Sequence, residues 1–199
     1  PTEYGTLYSL KELEELSAAC HEHGLKLFVD GARLAYALTS PANDVSMADL
    51  ARLSDVFYIG GTKCGTLFGE AVVIPNGGSI RQFVTQMKQH GALLAKGRLL
   101  GVQFEALFED DLYLTLGAPG VAATTRIREA LVRAGYVVTM DSPTNLTFVA
   151  LDQAGHERLS RKVRYGIWET LPDGRLLARF CTSWGTPEED VKAFEAALA

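Results

Sequence analysis

Short apolar runs that alternate with helix-like segments constrain the fold of this chain more than any other feature. A helical pattern over residues 9–23 precedes the run LKLFVD at residues 25–30, and a second helical pattern at Met47–Leu53 precedes DVFYI at residues 55–59. A further strand is predicted over residues 69–74. Such alternation is typical of α/β proteins, whose parallel strands are buried on both faces of the sheet. The first half of the chain is therefore predicted to contribute to a mostly parallel sheet.

Local signals define several helix ends in this half. Ser9 and Glu12 have the spacing of a capping box, and Gly24 can supply the left-handed residue that ends the first helix. The segment between the first strand and the second helix is predicted to be a polar turn. Helical spacing then predicts one long helical stretch from residue 79 to about residue 115, which could cross between domains.

The pattern changes after GAPG at residues 117–120. The predicted order is a helix (121–134), two strands (136–140 and 146–151), a helix (156–164), two strands (166–170 and 175–181) and a last helix (188–198). Thr186, Pro187 and Glu189 have the residue types of a capped start to that last helix. We therefore predict a large-domain portion over residues 1–116 and a small α+β domain over residues 117–199.

Two polar side chains follow the predicted parallel strands. Asp30 ends LKLFVD, and Lys63 stands among glycines shortly after DVFYI. In open parallel sheets, ligands bind beyond the carboxyl ends of the strands. The lysine is not part of a Walker phosphate loop, because Thr62 precedes it and Cys64 follows it. It is either a surface residue in a glycine turn or a lysine that attacks a carbonyl carbon.

The two side chains together suit one kind of cofactor chemistry. An enzyme that uses pyridoxal 5'-phosphate (PLP) needs a lysine that bonds to the cofactor aldehyde and an acid that keeps the pyridine nitrogen protonated. Lys63 and Asp30 have these types, one strand–helix unit apart. Asp30 could equally be a helix cap at a turn after a strand, so the spacing alone leaves both readings open.

At these residues the sequence resembles a known family. The segments VDGARL and YIGGTKCGTLFGEAVV are similar to the cofactor region of threonine aldolases and related β-eliminating lyases of the aspartate-aminotransferase fold. The similarity extends over the whole chain, from PTEYGTLYSLKELEELS to RLLARFCTSW. It implies the C-terminal part of a fold-type I PLP enzyme, with a remnant of the large-domain sheet and a small α+β domain.

The resemblance also implies roles for individual residues. Lys63 would form the Schiff base with PLP, Asp30 would pair with the pyridine nitrogen, and Thr62 would belong to the cofactor-binding residues. Arg33 would lie beside the cofactor and the substrate carboxylate, and Arg179 would bind that carboxylate. The implied reaction is cleavage of a threonine-like β-hydroxy-α-amino acid to glycine and an aldehyde; β-elimination and a non-catalytic fragment are the alternatives.

The chain departs from the family pattern at its start. Family members carry, before this stretch, a glycine-bearing loop for the cofactor phosphate and a histidine that stacks on the pyridine ring. Neither is found among these 199 residues, and the four histidines do not have the positions to replace them. We therefore expect a fragment that associates with the missing N-terminal segment or forms a homo-oligomer, a dimer or a tetramer.

Composition excludes other classes of function. The net charge of −5, without a basic cluster, argues against nucleic acid as a partner. No apolar stretch is long enough to span a membrane, which favours a cytoplasmic protein. Three cysteines without CxxC spacing argue against a disulfide framework and a metal site, and Cys64 is read as a small packing residue.

Overall fold

A computed structural model describes residues 1–199 and divides them into two compact units. We call residues 8–34 and 44–114 the lysine unit, and residues 1–7, 35–43 and 115–199 the C-terminal unit. The helices are α1 (Leu10–Glu22), α2 (Leu34–Leu38), α3 (Met47–Leu53), α4 (Phe83–Gln89), α5 (Arg98–Phe108), α6 (Leu112–Arg133), α7 (Gln153–Ser160) and α8 (Glu188–Leu198). The strands are β1 (Phe28–Val29), β2 (Val56–Gly60), β3 (Glu70–Val73), β4 (Val137–Val138), β5 (Leu146–Leu151), β6 (Gly166–Thr170) and β7 (Leu176–Cys181).

The lysine unit contains a three-stranded sheet in the order β1-β2-β3. β1 and β2 are parallel, with Val29 opposite Phe57, and β2 and β3 are antiparallel. Before the sheet, Ser9 and Glu12 form the predicted capping box of α1, and Gly24 adopts the predicted left-handed conformation after it. The helices and strands therefore form the mixed α/β arrangement that the sequence predicts.

Three predictions for the lysine unit are wrong in detail. Of the run LKLFVD only Phe28–Val29 is a strand, and Phe28 is 59% exposed, so β1 is not buried on both faces. α2 begins within the segment that was predicted to be a polar turn. The helical stretch from residue 79 is broken into separate helices, because Gly91, Asp110 and Asp111 have left-handed backbone angles that an α-helix cannot contain.

The C-terminal unit is built on a four-stranded antiparallel sheet in the order β4-β5-β7-β6. Alternate residues of β5 and β7 point to opposite faces. Val149, Leu151 and Phe180 pack with α6, α7 and α8 on one face, whereas Phe148 and Leu177 pack with Trp168 on the other. β5 is buried along its whole length, so this sheet is the core of the unit.

Two boundaries in the C-terminal unit differ from the sequence prediction. GAPG was predicted to be a break, but α6 continues through Pro119. Gly117 and Gly120 are buried there, and a Cβ at Gly117 would lie 2.3 Å from the carbonyl oxygen of Ala35, so these glycines permit close packing instead of ending the helix. The hydroxyl of Thr186 accepts from the N–H of Ser183, and α8 has no side-chain cap.

No helix in the structure is both long enough and apolar enough to cross a membrane.

Candidate active site

Asp30 and Lys63 follow neighbouring parallel strands. Asp30 comes directly after β1, and Lys63 comes three residues after the end of β2. Because the strands are parallel, their carboxyl ends lie at the same edge of the sheet. Both side chains are exposed, so a small molecule in solvent can reach the amine and the carboxylate. The lysine unit thus has the acid and the amine at the sheet edge where open α/β sheets bind ligands.

The Asp30 carboxylate is held by two donors. The hydroxyl of Tyr58 donates to Oδ1 over 2.5 Å, and the backbone N–H of Ala32 donates to the same oxygen over 3.0 Å. The second contact is the local turn that an aspartate commonly makes with the residue two positions on. The first joins β2 to the end of β1 and depends on strand pairing.

Tyr58 is a hydroxyl donor over a wide range of pH. Burial raises the pKa of its phenol above the usual value, and the hydrogen bond to the Asp30 carboxylate raises it further. Both effects disfavour a second negative charge beside the carboxylate. At neutral pH the phenol therefore keeps its proton and continues to donate to Asp30.

Glycines allow the backbones at this edge to approach each other closely. The N–H of Gly60 donates to the carbonyl oxygen of Gly31 over 2.9 Å, which extends the parallel pairing beyond β1. A Cβ at Gly31 would lie 1.8 Å from the carbonyl oxygen of Tyr58, and one at Gly60 would lie 2.3 Å from that of Ala32. Neither position has room for a side chain, which explains why glycines come before the lysine.

The turn that presents Lys63 is held from two further elements. The buried hydroxyl of Tyr113, in the first turn of α6, donates to the carbonyl oxygen of Gly60 over 2.8 Å. The N–H of Gly61 donates to Oε2 of Glu70, the first residue of β3, over 2.6 Å. The sequence alone points to none of Tyr58, Glu70 and Tyr113, because no local pattern marks a contact that depends on strand register or on a distant helix.

The structure places the other predicted residues of the lysine unit as follows. The exposed Thr62 directs its hydroxyl to the carbonyl oxygen of Gly69, at 3.3 Å. Arg33, in the loop after β1, is buried with 9% of its surface exposed. Cys64 is 1% exposed, as expected for a small packing residue. The cofactor and substrate roles of Thr62 and Arg33 remain predictions.

Arg179 belongs to the C-terminal unit. It lies on β7 opposite Phe148 of β5 and Gly166 of β6. Its guanidinium carbon is 4.5 Å from the centroid of the Trp168 ring, a distance typical of a cation–π contact. The stacked ring restricts the orientation of the planar guanidinium, whose N–H groups can bind a carboxylate in a bidentate manner.

Histidines and cysteines do not form a second centre. His21 contacts Asp55 at 3.1 Å, and His156 contacts the hydroxyl of Tyr165 at 2.9 Å. No disulfide joins any of the three cysteines. No group of three or more histidine, cysteine, aspartate or glutamate side chains could hold a metal ion.

The family model described as "Beta-eliminating lyase" matches residues 2–163 of the chain. This match includes Asp30, Lys63 and the whole lysine unit. The chain belongs to the beta-eliminating lyase family.

Individual relatives within this fold are threonine aldolases. The chain is 34% identical to the low specificity L-threonine aldolase of Pseudomonas aeruginosa over 96% of this chain and 55% of that protein. It is 45% identical to the solved threonine aldolase of Leishmania major, with a TM-score of 0.91, over 99% of this chain and 58% of that one. Serine palmitoyltransferase of Sphingomonas wittichii, at 17% identity and a TM-score of 0.65 over 93% of this chain and 50% of that one, shares the fold. The chain thus spans little more than half the length of these relatives.

Proposed function

We propose that this chain supplies the lysine and the acid of a PLP-dependent lyase that cleaves a threonine-like β-hydroxy-α-amino acid to glycine and an aldehyde. The placement of Asp30 and Lys63 at one edge of a parallel strand pair, within a segment that matches the family, carries the proposal. The names of the two threonine aldolase relatives favour aldol cleavage over β-elimination.

The residues at the sheet edge fit such a cofactor. PLP requires an amine that can reach its aldehyde carbon and an anion for its ring nitrogen. The exposed amine of Lys63 and the exposed carboxylate of Asp30 meet both requirements, and the close backbone packing of Gly31 and Gly60 positions the segments that bear them.

Each residue then has a distinct task. Bound PLP would supply an electron sink for the bond that breaks at the substrate α-carbon. The Nζ amine of Lys63 would act as the nucleophile toward the cofactor aldehyde. A carboxylate oxygen of Asp30 would hold the proton on the ring nitrogen, because a fixed negative charge favours the protonated form.

The arginines suit the carboxylate of an amino acid substrate. Arg179 presents a planar guanidinium oriented by Trp168, which suits bidentate binding of a carboxylate. Arg33 follows Asp30 by three residues and would add positive charge beside the cofactor.

Covalent trapping tests the assignment of the lysine. The chain is mixed with PLP, reduced with borohydride and digested, and the labelled peptide is mapped by mass spectrometry. We expect the label on Lys63, loss of the label in Lys63→Ala, and no change in Lys88→Ala, a control at an exposed lysine of α4. A label on any other lysine would refute the assignment.

Product analysis separates the two lyase reactions. With threonine as substrate, aldol cleavage releases glycine and acetaldehyde, whereas elimination releases ammonia and a keto acid. We expect glycine and acetaldehyde, and we expect Asp30→Asn to lower turnover severely while PLP still reacts with Lys63. Near-native turnover in Asp30→Asn would contradict the role of the acid.

A further inference from the structure

The contact between Tyr58 and Asp30 does more than join two strands. An aspartate carboxylate turns about a broad, roughly two-fold torsion and is not confined to one orientation by its own geometry. Two donors from different segments, the hydroxyl of Tyr58 and the N–H of Ala32, meet at its Oδ1. Together they fix the direction in which the carboxylate faces.

We propose that Tyr58 is a positioning residue for the cofactor: its hydroxyl fixes the Asp30 carboxylate so that it faces, and holds the proton on, the pyridine nitrogen of PLP. The inference rests on the proposed function. Tyr58 lies on β2 and Asp30 directly follows β1, so the bond also ties the acid to the strand that leads to Lys63.

The hydroxyl, not the ring, carries this role. The Tyr58 ring lies 6.1 Å from the ring of Phe28, a contact that a phenylalanine at position 58 would keep. The hydroxyl adds one hydrogen bond to a charged acceptor, and such bonds are stronger than those between neutral groups. Tyr58→Phe therefore removes the positioning bond and leaves the ring packing in place.

The first measurement requires no cofactor. In a chain labelled with ¹³C at Cζ of tyrosine, Tyr58→Phe identifies the resonance of Tyr58, and its ionisation is followed as pH rises. Because burial and the Asp30 bond both raise the pKa of Tyr58, we expect Asp30→Asn to move the ionisation to lower pH without restoring the usual value. An unchanged titration would overturn the proposal, since the hydrogen bond would then be absent.

The second measurement uses two probes: PLP, and its deaza analogue in which a C–H group replaces the ring nitrogen. Intrinsic differences between the two probes cancel when the ratio of their dissociation constants is compared between the unmodified chain and a variant, so a change in this ratio reports the contact at the ring nitrogen. We expect the chain to favour PLP and Tyr58→Phe to reduce this preference about threefold to tenfold, the effect of one net hydrogen bond. The control Tyr165→Phe, which removes a half-buried hydroxyl next to His156, should leave the ratio unchanged.

The outcomes separate the inference from the proposed function. If Tyr58→Phe weakens binding of both probes equally, the hydroxyl has only a structural role and the inference is wrong, while the proposed function stands. If the unmodified chain binds the two probes equally, the cofactor role of Asp30 is wrong, and the proposed function fails together with the inference.

Discussion

A methyl group added at Gly31 should disrupt the edge of the sheet that carries both Asp30 and Lys63. The Cβ of Gly31→Ala would lie 1.8 Å from the carbonyl oxygen of Tyr58 and 3.4 Å from Cβ of Leu34. The first neighbour is backbone and cannot rotate away. Since the φ of Gly31 lies outside the left-handed region, the predicted strain comes from this contact and not from the backbone angle.

The size of the effect follows from the displacement required. Ordinary contacts of a Cβ begin at 3.4 Å, so the two segments would have to separate by about 1.6 Å, the difference between 3.4 and 1.8 Å. That separation would break the 2.9 Å hydrogen bond from the N–H of Gly60 to the carbonyl of Gly31, both of them buried. Overpacking and a lost buried hydrogen bond each cost about 1–3 kcal/mol, so we expect destabilisation of about 3 kcal/mol or more.

Urea unfolding followed by far-UV circular dichroism measures this change, at equal chain concentrations because association shifts apparent stability. Gly101→Ala is the matched control, since a Cβ at this exposed position of α5 meets nothing within 4 Å. We expect the control to raise the free energy of unfolding by about 0.5–1 kcal/mol. If Gly31→Ala lay within about 1 kcal/mol of the unmodified chain, the argument from close backbone approach would be refuted.

Three further predictions concern charge, substrate and association. Asp55→Asn should destabilise the chain at pH 7, and this effect should become progressively smaller as pH falls below about 4. The hydrogen bond from Lys26 is the largest cause that lowers the pKa of Asp55, so the stabilisation is fully present above the unfolded pKa of about 4 and is lost as pH falls toward the folded pKa; urea unfolding at several pH values would follow this loss. Arg179→Lys should raise KM for the amino acid more than it changes kcat, because a compact ammonium charge replaces the planar guanidinium. An unchanged KM in steady-state kinetics would place carboxylate binding at another residue. The isolated chain should sediment as an oligomer, or only together with a further segment, and it should bind PLP weakly. Apolar side chains of the lysine unit such as Leu67, which is 87% exposed, are not covered by other protein atoms and favour association. A folded monomer with full cofactor occupancy would contradict this prediction.

The elements that the sequence predicts most closely are those defined by local interactions. The capping box of Ser9 and Glu12 joins residues three apart, so its signal lies within one turn of the chain. α3, β5, β6 and α8 likewise have the predicted bounds, because each is a run of one periodicity between clear turn residues. Where the information is local, sequence and structure agree.

The elements that were mispredicted depend on distant neighbours. Gly117 and Pro119 carry the local signal of a turn, yet α6 passes through them because Gly117 packs against the backbone of Ala35, far away in the sequence. β1 is shorter than its apolar run, since it pairs with β2 in regular register at only two positions, Phe28 and Val29. Neither fact can be read from a window of adjacent residues.

The candidate site divides in the same way. The placement of Lys63 and Asp30 at one edge of the sheet could be predicted, because each follows a strand and the alternating pattern makes these strands parallel neighbours. Tyr58 could not, because its role depends on the β1–β2 register, which brings its hydroxyl within 2.5 Å of the carboxylate after the neighbouring strand. The glycines near Asp30 and Lys63 could be predicted only in part. Their positions are visible in the sequence, but only the 1.8 and 2.3 Å approaches of a Cβ at Gly31 and Gly60 show that these glycines let two backbone segments pack together. Flexibility of the lysine is therefore not the reason for Gly60; close packing of the backbone segments that lead to Asp30 and Lys63 is.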